Sequence, residues 1–168
     1  DAHTHLVFAG DRSDEFARRL RGESYEEILA SGGGIHSTVA ATRAASFDEL
    51  AAAGVERAGR LLRQGTTTAE VKSGYGLDTK TEVRILEAAR AVGERTPLDV
   101  VPTYLGAHVA ARESGREEYL SLVAGEMLEA CAPLARYCDV CCDRGAFTVE
   151  EARRVLLAGK ARGLRPRR

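Results

Sequence analysis

Apolar and polar positions alternate along this chain in two distinct rhythms. Short β-branched or apolar runs occur at Thr66 to Lys72, Leu98 to Tyr104 and Tyr137 to Cys142, and they read as strands. Between them lie stretches with apolar residues at helical spacing. Leu50, Ala53, Ala58, Leu61 and Leu62 mark one helix, and Ile85, Leu86, Ala89 and Val92 a second. Leu120, Val123, Met127 and Leu128 mark a third, over Glu117 to about Ala130. Three capping boxes set helix starts: Ser46-x-x-Glu49, Thr79-x-x-Glu82 and Thr148-x-x-Glu151. Gly65 and Gly163 fit the positions just past two helix ends.

The edges of the pattern are less regular. Asp14 to Leu20 and Tyr25 to Ala30 read as short helices whose apolar side is Phe16, Leu20, Ile28 and Leu29. Ser31-Gly32-Gly33-Gly34 interrupts the second, as a flexible turn or as a loop closing over a ligand. Pro102 lies awkwardly in a strand and predicts a bend or irregular pairing there. Leu164 opens a further strand just before the chain stops.

The resulting order is strand, helices, strand, helix, strand, helix, strand, helix. Such alternation predicts an α/β fold of parallel βαβ units. Right-handed crossovers place every helix on one side if the sheet curls into a barrel. A (β/α)8 TIM-type barrel takes about 250 residues, so this chain corresponds to roughly its first four βα units. A flavodoxin-like doubly wound sheet is the alternative of similar size.

Composition removes several function classes. A net charge of −1 over 168 residues offers no electrostatic footprint for nucleic acid or a membrane surface. No apolar run approaches the roughly 18 residues of a membrane span. The chain shows no secretory signal, and it reads as a piece of something longer because it starts at Asp1 without Met. Cys138-x-x-Cys141 invites a zinc-ribbon or redox reading, but a strand there sends the two thiols to opposite faces. With no second such pair, Cys131, Cys138, Cys141 and Cys142 read as small buried hydrophobes of a reducing compartment.

Candidate chemistry begins at the first residues, Asp1-Ala2-His3-Thr4-His5-Leu6. On a strand, residues i and i+2 share a face, so His3 and His5 aim their imidazoles at one point while Thr4 turns away. Neutral imidazole suits zinc and other divalent transition metals. Parallel α/β folds place their sites at the carboxyl ends of strands. Those ends carry Arg12; then Glu70, Lys72 and Tyr75; then His108; then Asp143 and Arg144. Glu70 and Lys72 alternate on one face and read first as a structural ion pair. His36 has no evident partner and reads as a loop histidine. The Gly32 to Gly34 run lacks phosphate-loop spacing.

The opening His-x-His resembles the first metal-binding strand of the amidohydrolase superfamily. Further segments resemble its imidazolonepropionase family: Phe8-Ala9-Gly10-Asp11-Arg12, Gly32-Gly33-Gly34-Ile35, Ala41-Thr42-Arg43-Ala44-Ala45, Glu70-Val71-Lys72-Ser73-Gly74-Tyr75-Gly76-Leu77 and Thr103-Tyr104-Leu105-Gly106-Ala107-His108. The resemblance covers essentially the whole chain. It implies metal-assisted hydrolysis of the cyclic amide 4-imidazolone-5-propanoate to N-formimino-L-glutamate, in histidine degradation. It implies His3 and His5 as two ligands of a single Zn²⁺ or iron ion. It further implies Arg12 on the substrate propanoate, Tyr75 and His108 on the imidazolone ring and its carbonyl, and Tyr25 lining the pocket. A cytoplasmic homodimer acting on a small molecule goes with that family.

The family pattern also has a third metal histidine, a metal aspartate, a catalytic glutamate and a small flanking β domain. None of these has a counterpart here, so residues 1–168 are expected to be an incomplete catalytic domain, inactive and weakly metal-binding when alone. Other readings stay open. A deaminase or dihydroorotase-like amidohydrolase shares the His-x-His. A non-catalytic half-barrel that assembles with a partner needs no metal.

Overall fold

A computed structural model describes residues 1–24, 27–28 and 31–167. Its helices are α1 (Ser13–Leu20), α2 (Ile35–Ala44), α3 (Phe47–Arg63), α4 (Thr79–Arg95), α5 (Arg116–Ala124), α6 (Glu126–Cys131) and α7 (Val149–Ala161). Its strands are β1 (Thr68–Lys72), β2 (Asp99–Ala107), β3 (Tyr137–Val140) and β4 (Arg165–Pro166). All neighbouring strands are parallel, in the order β1-β2-β3-β4. The opening segment joins the far side of β1 through one parallel bridge, Thr4 to Val71.

The two faces of the sheet differ sharply. Ala69 and Val71 of β1, Tyr104 of β2 and Cys138 of β3 are buried in the apolar clusters beneath the helices. The alternate residues Glu70, Lys72 and Thr103 are also buried but polar, and they sit on the other face. A doubly wound sheet would need apolar residues on both faces. One apolar face covered by helices, with every neighbouring strand pair parallel, is a partial TIM-type barrel.

Local chemistry explains most boundaries. Both reciprocal bonds of the Ser46/Glu49 and Thr148/Glu151 capping boxes form, at the starts of α3 and α7. The third expected box does not form. Asp78 caps α4 instead, its carboxylate accepting the Thr81 N–H at 2.7 Å. An aspartate one residue upstream outcompetes the Thr79 hydroxyl, and Glu82 is released to turn inward.

Other expectations need correcting. The helix over Glu117 to Ala130 breaks at Gly125 into α5 and α6. A Cβ at Gly125 would lie 2.8 Å from the Ser121 carbonyl oxygen, so the break needs glycine. The helix α2 was not legible from periodicity, because its buried positions are Thr38, Val39 and Thr42. Phe16 and Leu20 of α1 are exposed rather than buried. The expected helix over Tyr25 to Ala30 falls mostly outside the described residues, although Ile28 within it is fully buried. Pro102 pairs regularly with Val71, and the irregular register lies further on, between Tyr104 and Ala107. The Pro102 carbonyl accepts from the Arg136 N–H at 2.8 Å, so its nitrogen faces that same side, ahead of the residue where β3 begins. No ladder donor is lost there.

Candidate functional site

The first segment is fixed to β1 by backbone bonds on both sides of Thr4. The Thr4 N–H donates to the Glu70 carbonyl at 3.0 Å, and the Lys72 N–H donates to the Thr4 carbonyl at 2.9 Å. The Thr4 hydroxyl adds a bond to the Glu70 carbonyl at 2.6 Å. His3 and His5 are thereby held side by side, with ring centroids 5.6 Å apart. His5 packs against Tyr75 at 4.7 Å and stacks on His108 at 5.1 Å, with the planes 9° apart. Tyr75 and His108 close the cluster at 5.4 Å.

His5 Nδ1 is buried and has no hydrogen-bond partner. A buried imidazole nitrogen without a partner is costly unless something outside the polypeptide satisfies it. Burial, reinforced by His108, His3 and Lys72, holds the His5 pKa down at about 3. The ring is therefore neutral at physiological pH, the form that ligates metals. Among the described residues, no group of three or more His, Cys, Asp or Glu side chains converges as a metal site. The orphaned His5 nitrogen and its neighbour His3 fit two ligands of such a site, with further ligands needed.

His108 is oriented by the loop after β1. Its Nδ1 lies 3.0 Å from the Gly74 carbonyl oxygen. A carbonyl only accepts, so Nδ1 carries the proton and Nε2 of the neutral ring presents its lone pair. Burial above all pushes the His108 pKa down. Both histidines resist protonation when folded and accept it freely when unfolded. Below the ordinary histidine pKa of about 6.5, the unfolded state binds more protons. Stability should therefore fall as pH drops from about 6.5 towards the His5 value of about 3. Urea midpoints measured across that range test this, and a flat profile between pH 6.5 and pH 5 would contradict it.

Arg12 and Tyr75 line one cleft of about 300 Å³ together with Phe8, Gly10, Asp11, Thr38 and Arg57. Among the described residues, the Arg12 guanidinium meets a carboxylate at Glu15, 3.8 Å away, which is longer than a close bidentate pair. Tyr25 lies outside the described residues. His36 sits in α2, where Arg112, Glu113 and Arg43 are its charged neighbours and burial lowers its pKa.

Glu70 and Lys72 form the buried ion pair expected of them, at 3.1 Å. The Lys72 ammonium also donates to Asp139 Oδ2 at 2.7 Å. The Thr103 hydroxyl donates to Glu70 Oε1 at 2.6 Å, and Arg167 Nε lies 3.0 Å from the same oxygen. Asp139, not Asp143, is thus the acidic residue that β3 turns inward. Asp143 sits in an exposed loop and accepts the N–H of Arg144 at 2.7 Å. Cys138 points to the helix side, where burial pushes its thiol up to about 12. It is inert there, as a small hydrophobe should be.

No protein-family model matches the chain. Individual relatives match it closely. An imidazolonepropionase of Rubrobacter xylanophilus is 58% identical over 98% of this chain and 40% of its own length. The imidazolonepropionase of Myxococcus xanthus is 56% identical over 99% of this chain and 41% of its own length. That of Halobacterium salinarum is 52% identical over 99% and 40%. By sequence, the chain is a relative of the imidazolonepropionases. It spans about 40% of the length of these curated relatives.

The imidazolonepropionase likeness and the geometry draw attention to the same segments. Phe8 to Arg12 forms the wall of the cleft, the Ser73 to Leu77 loop carries Tyr75, and Leu105 to His108 carries the stacked imidazole. Arg43, noted only as part of a motif, ties three elements together: its guanidinium donates to the Gly76 carbonyl at 2.6 Å and pairs with Asp78 and Glu113. Nothing in its spacing gave that role away. Asp139 was legible in principle, since it alternates with Cys138 and Val140 along β3. No helix among the described residues is long and apolar enough to cross a membrane.

Proposed function

We propose that the chain supplies the first half of the active site of a metal-dependent amidohydrolase that opens the imidazolone ring of 4-imidazolone-5-propanoate. One water adds across the ring amide, and N-formimino-L-glutamate is the product. The observation that carries this reading is the orphaned Nδ1 of His5, buried beside His3 and packed on Tyr75 and His108. His3 and His5 would hold the ion, zinc or iron, whose Lewis acidity serves amide hydrolysis. The remaining ligands and the general base belong to parts of the whole protein that this chain does not supply.

The chain's own residues do the binding. Arg12 lines the cleft with its guanidinium 3.8 Å from the Glu15 carboxylate, and a carboxylate such as the substrate propanoate suits its planar fork. Tyr75 lines the same cleft and also touches His5, so it stands between the propanoate end and the metal end. His108 Nε2, a lone-pair acceptor, suits a ring N–H of the imidazolone. Tyr25 is assigned to the pocket wall by the family likeness alone. Residues 1–168 form an incomplete catalytic domain of a cytoplasmic homodimer in this reading.

The test joins this chain to the remainder of the Rubrobacter xylanophilus relative, giving an extended protein. It should carry about one metal ion per chain, as a single-metal site does, and release N-formimino-L-glutamate from imidazolone propanoate. The 168-residue chain alone should do neither. A folded, metal-loaded extended protein without turnover would refute the substrate. Turnover by the chain alone would refute the division of the site.

A further inference from the structure

Glu82 is the most deeply buried carboxylate in the described structure that the proposed chemistry leaves unused; its residue is 0% exposed. It lies in the first turns of α4, where the positive end of the helix favours a carboxylate. Three backbone donors converge on it. Oε2 accepts the Gly74 N–H at 2.8 Å, while Oε1 accepts the Gly76 N–H at 2.7 Å and the Leu77 N–H at 2.9 Å. The Ser73 hydroxyl is a further hydrogen-bond partner. Every donor belongs to the loop that carries Tyr75.

The loop backbone is shaped around these bonds. A Cβ on Gly76 would lie 2.8 Å from the Glu82 nitrogen and 3.0 Å from Oε1. Gly74 has φ +107, and a Cβ there would lie 2.8 Å from the Leu105 carbonyl oxygen and 3.0 Å from His108 Nδ1. Leu77 is held at φ 55, uncommon for a side-chain-bearing residue. Such a conformation persists only where its surroundings fix it. On the outer side, Arg43 donates to the Gly76 carbonyl. The loop is thus gripped through its N–H groups by Glu82 and through a carbonyl by Arg43.

We propose that Glu82 is a positioning residue that sets Tyr75 and His108 through the Ser73 to Leu77 loop. Its bonds to the Gly74, Gly76 and Leu77 amides hold the loop on both sides of Tyr75, and the Gly74 carbonyl of that held loop meets the His108 ring at 3.0 Å. This rests on the reading that Tyr75 and His108 contact substrate. Glu82→Gln tests it, because the amide has the same shape but presents N–H₂ where an acceptor is required. At least one loop amide then faces a donor.

Hydrogen exchange on the 168-residue chain reads the structural half. The wild-type amides of Gly74, Gly76 and Leu77 should exchange slowly, and E82Q should speed at least one of them about tenfold or more while β2 amides stay protected. Fast exchange of these amides in the wild type overturns the proposal without any variant. So does an E82Q loop that exchanges like the wild type. Steady-state kinetics on the extended protein read the functional half: E82Q should raise KM about tenfold, with a smaller fall in kcat. Glu82→Asp keeps the carboxyl group but falls short of the amides, so it should behave like E82Q; a wild-type KM for E82D would also overturn the proposal. A wild-type extended protein with no turnover refutes the substrate reading, and the exchange data still decide whether Glu82 holds the loop.

Discussion

Lys72→Met should destabilise the chain by about 3–5 kcal/mol. Urea unfolding at neutral pH measures it. Lys72 is 1% exposed and stands between two carboxylates, Glu70 at 3.1 Å and Asp139 at 2.7 Å. Methionine is one atom shorter, fills most of the same space and removes the charge. Glu70 keeps the Thr103 hydroxyl and Arg167 as partners. Among the described residues, Asp139 keeps the Val140 backbone N–H, which donates to its Oδ1 at 2.8 Å. Two acids then face each other across a space that no longer contains a cation. A domain of this size is stable by only about 5–15 kcal/mol, so the loss takes a large fraction of the margin. The triple variant E70Q/K72M/D139N should recover much of it, because replacing all charges together leaves none stranded. A K72M midpoint matching the wild type would show that water reaches these groups and that the network is not a buried one.

That network also shows where sequence reading stops. Alternation along a strand told that Glu70 and Lys72 share a face and read as an ion pair. It did not tell that Asp139, 67 residues beyond Lys72, completes the pair. Contacts between strands depend on register, and register is a tertiary property. Glu82 was misread for a related reason. Thr79-x-x-Glu82 has the capping spacing, but Asp78 caps the helix and the carboxylate turns inward to bind a loop. Local rules rank candidates for a helix start; they do not say what a released side chain meets. The chain's α2 escaped notice because its inner face uses threonine, whose hydroxyls find partners inside: Thr42 accepts the Ala9 N–H at 3.1 Å. The four strands, the long helices α3, α4 and α7 and the His-x-His were legible, since each rests on periodicity or on a spacing of a few residues. The way Tyr75 and His108 close on His5 needed the fold.

His5→Ala in the extended protein should abolish metal retention and turnover while leaving the fold intact. Second-sphere changes at metal sites cost about 10–100-fold in affinity, so loss of a direct ligand should exceed 100-fold. Metal content after dialysis and product release measure the two effects. The variant should not unfold: the buried Nδ1 had no polypeptide partner to lose, and although the ring's hydrogen bond with the Lys72 backbone goes, the backbone bonds of Thr4 to β1 remain. In the 168-residue chain the same substitution makes a second, opposite-signed prediction. Wild-type His5 must stay neutral down to about pH 3, against a reference of 6.5 for the open ring, so each proton gained on unfolding favours the unfolded state in acid. Each unit of that gap is worth at most about 1.4 kcal/mol. H5A removes the penalty and should flatten the stability profile between pH 6.5 and pH 4, leaving the smaller slope from His108, which burial also keeps neutral. On the proposed reading, one side chain would weaken the metal-free fold in acid and hold the ion in the complete protein. If H5A keeps the wild-type acid slope, His5 titrates normally and is not buried as a neutral ring. If it keeps the metal as well, the site does not depend on His5.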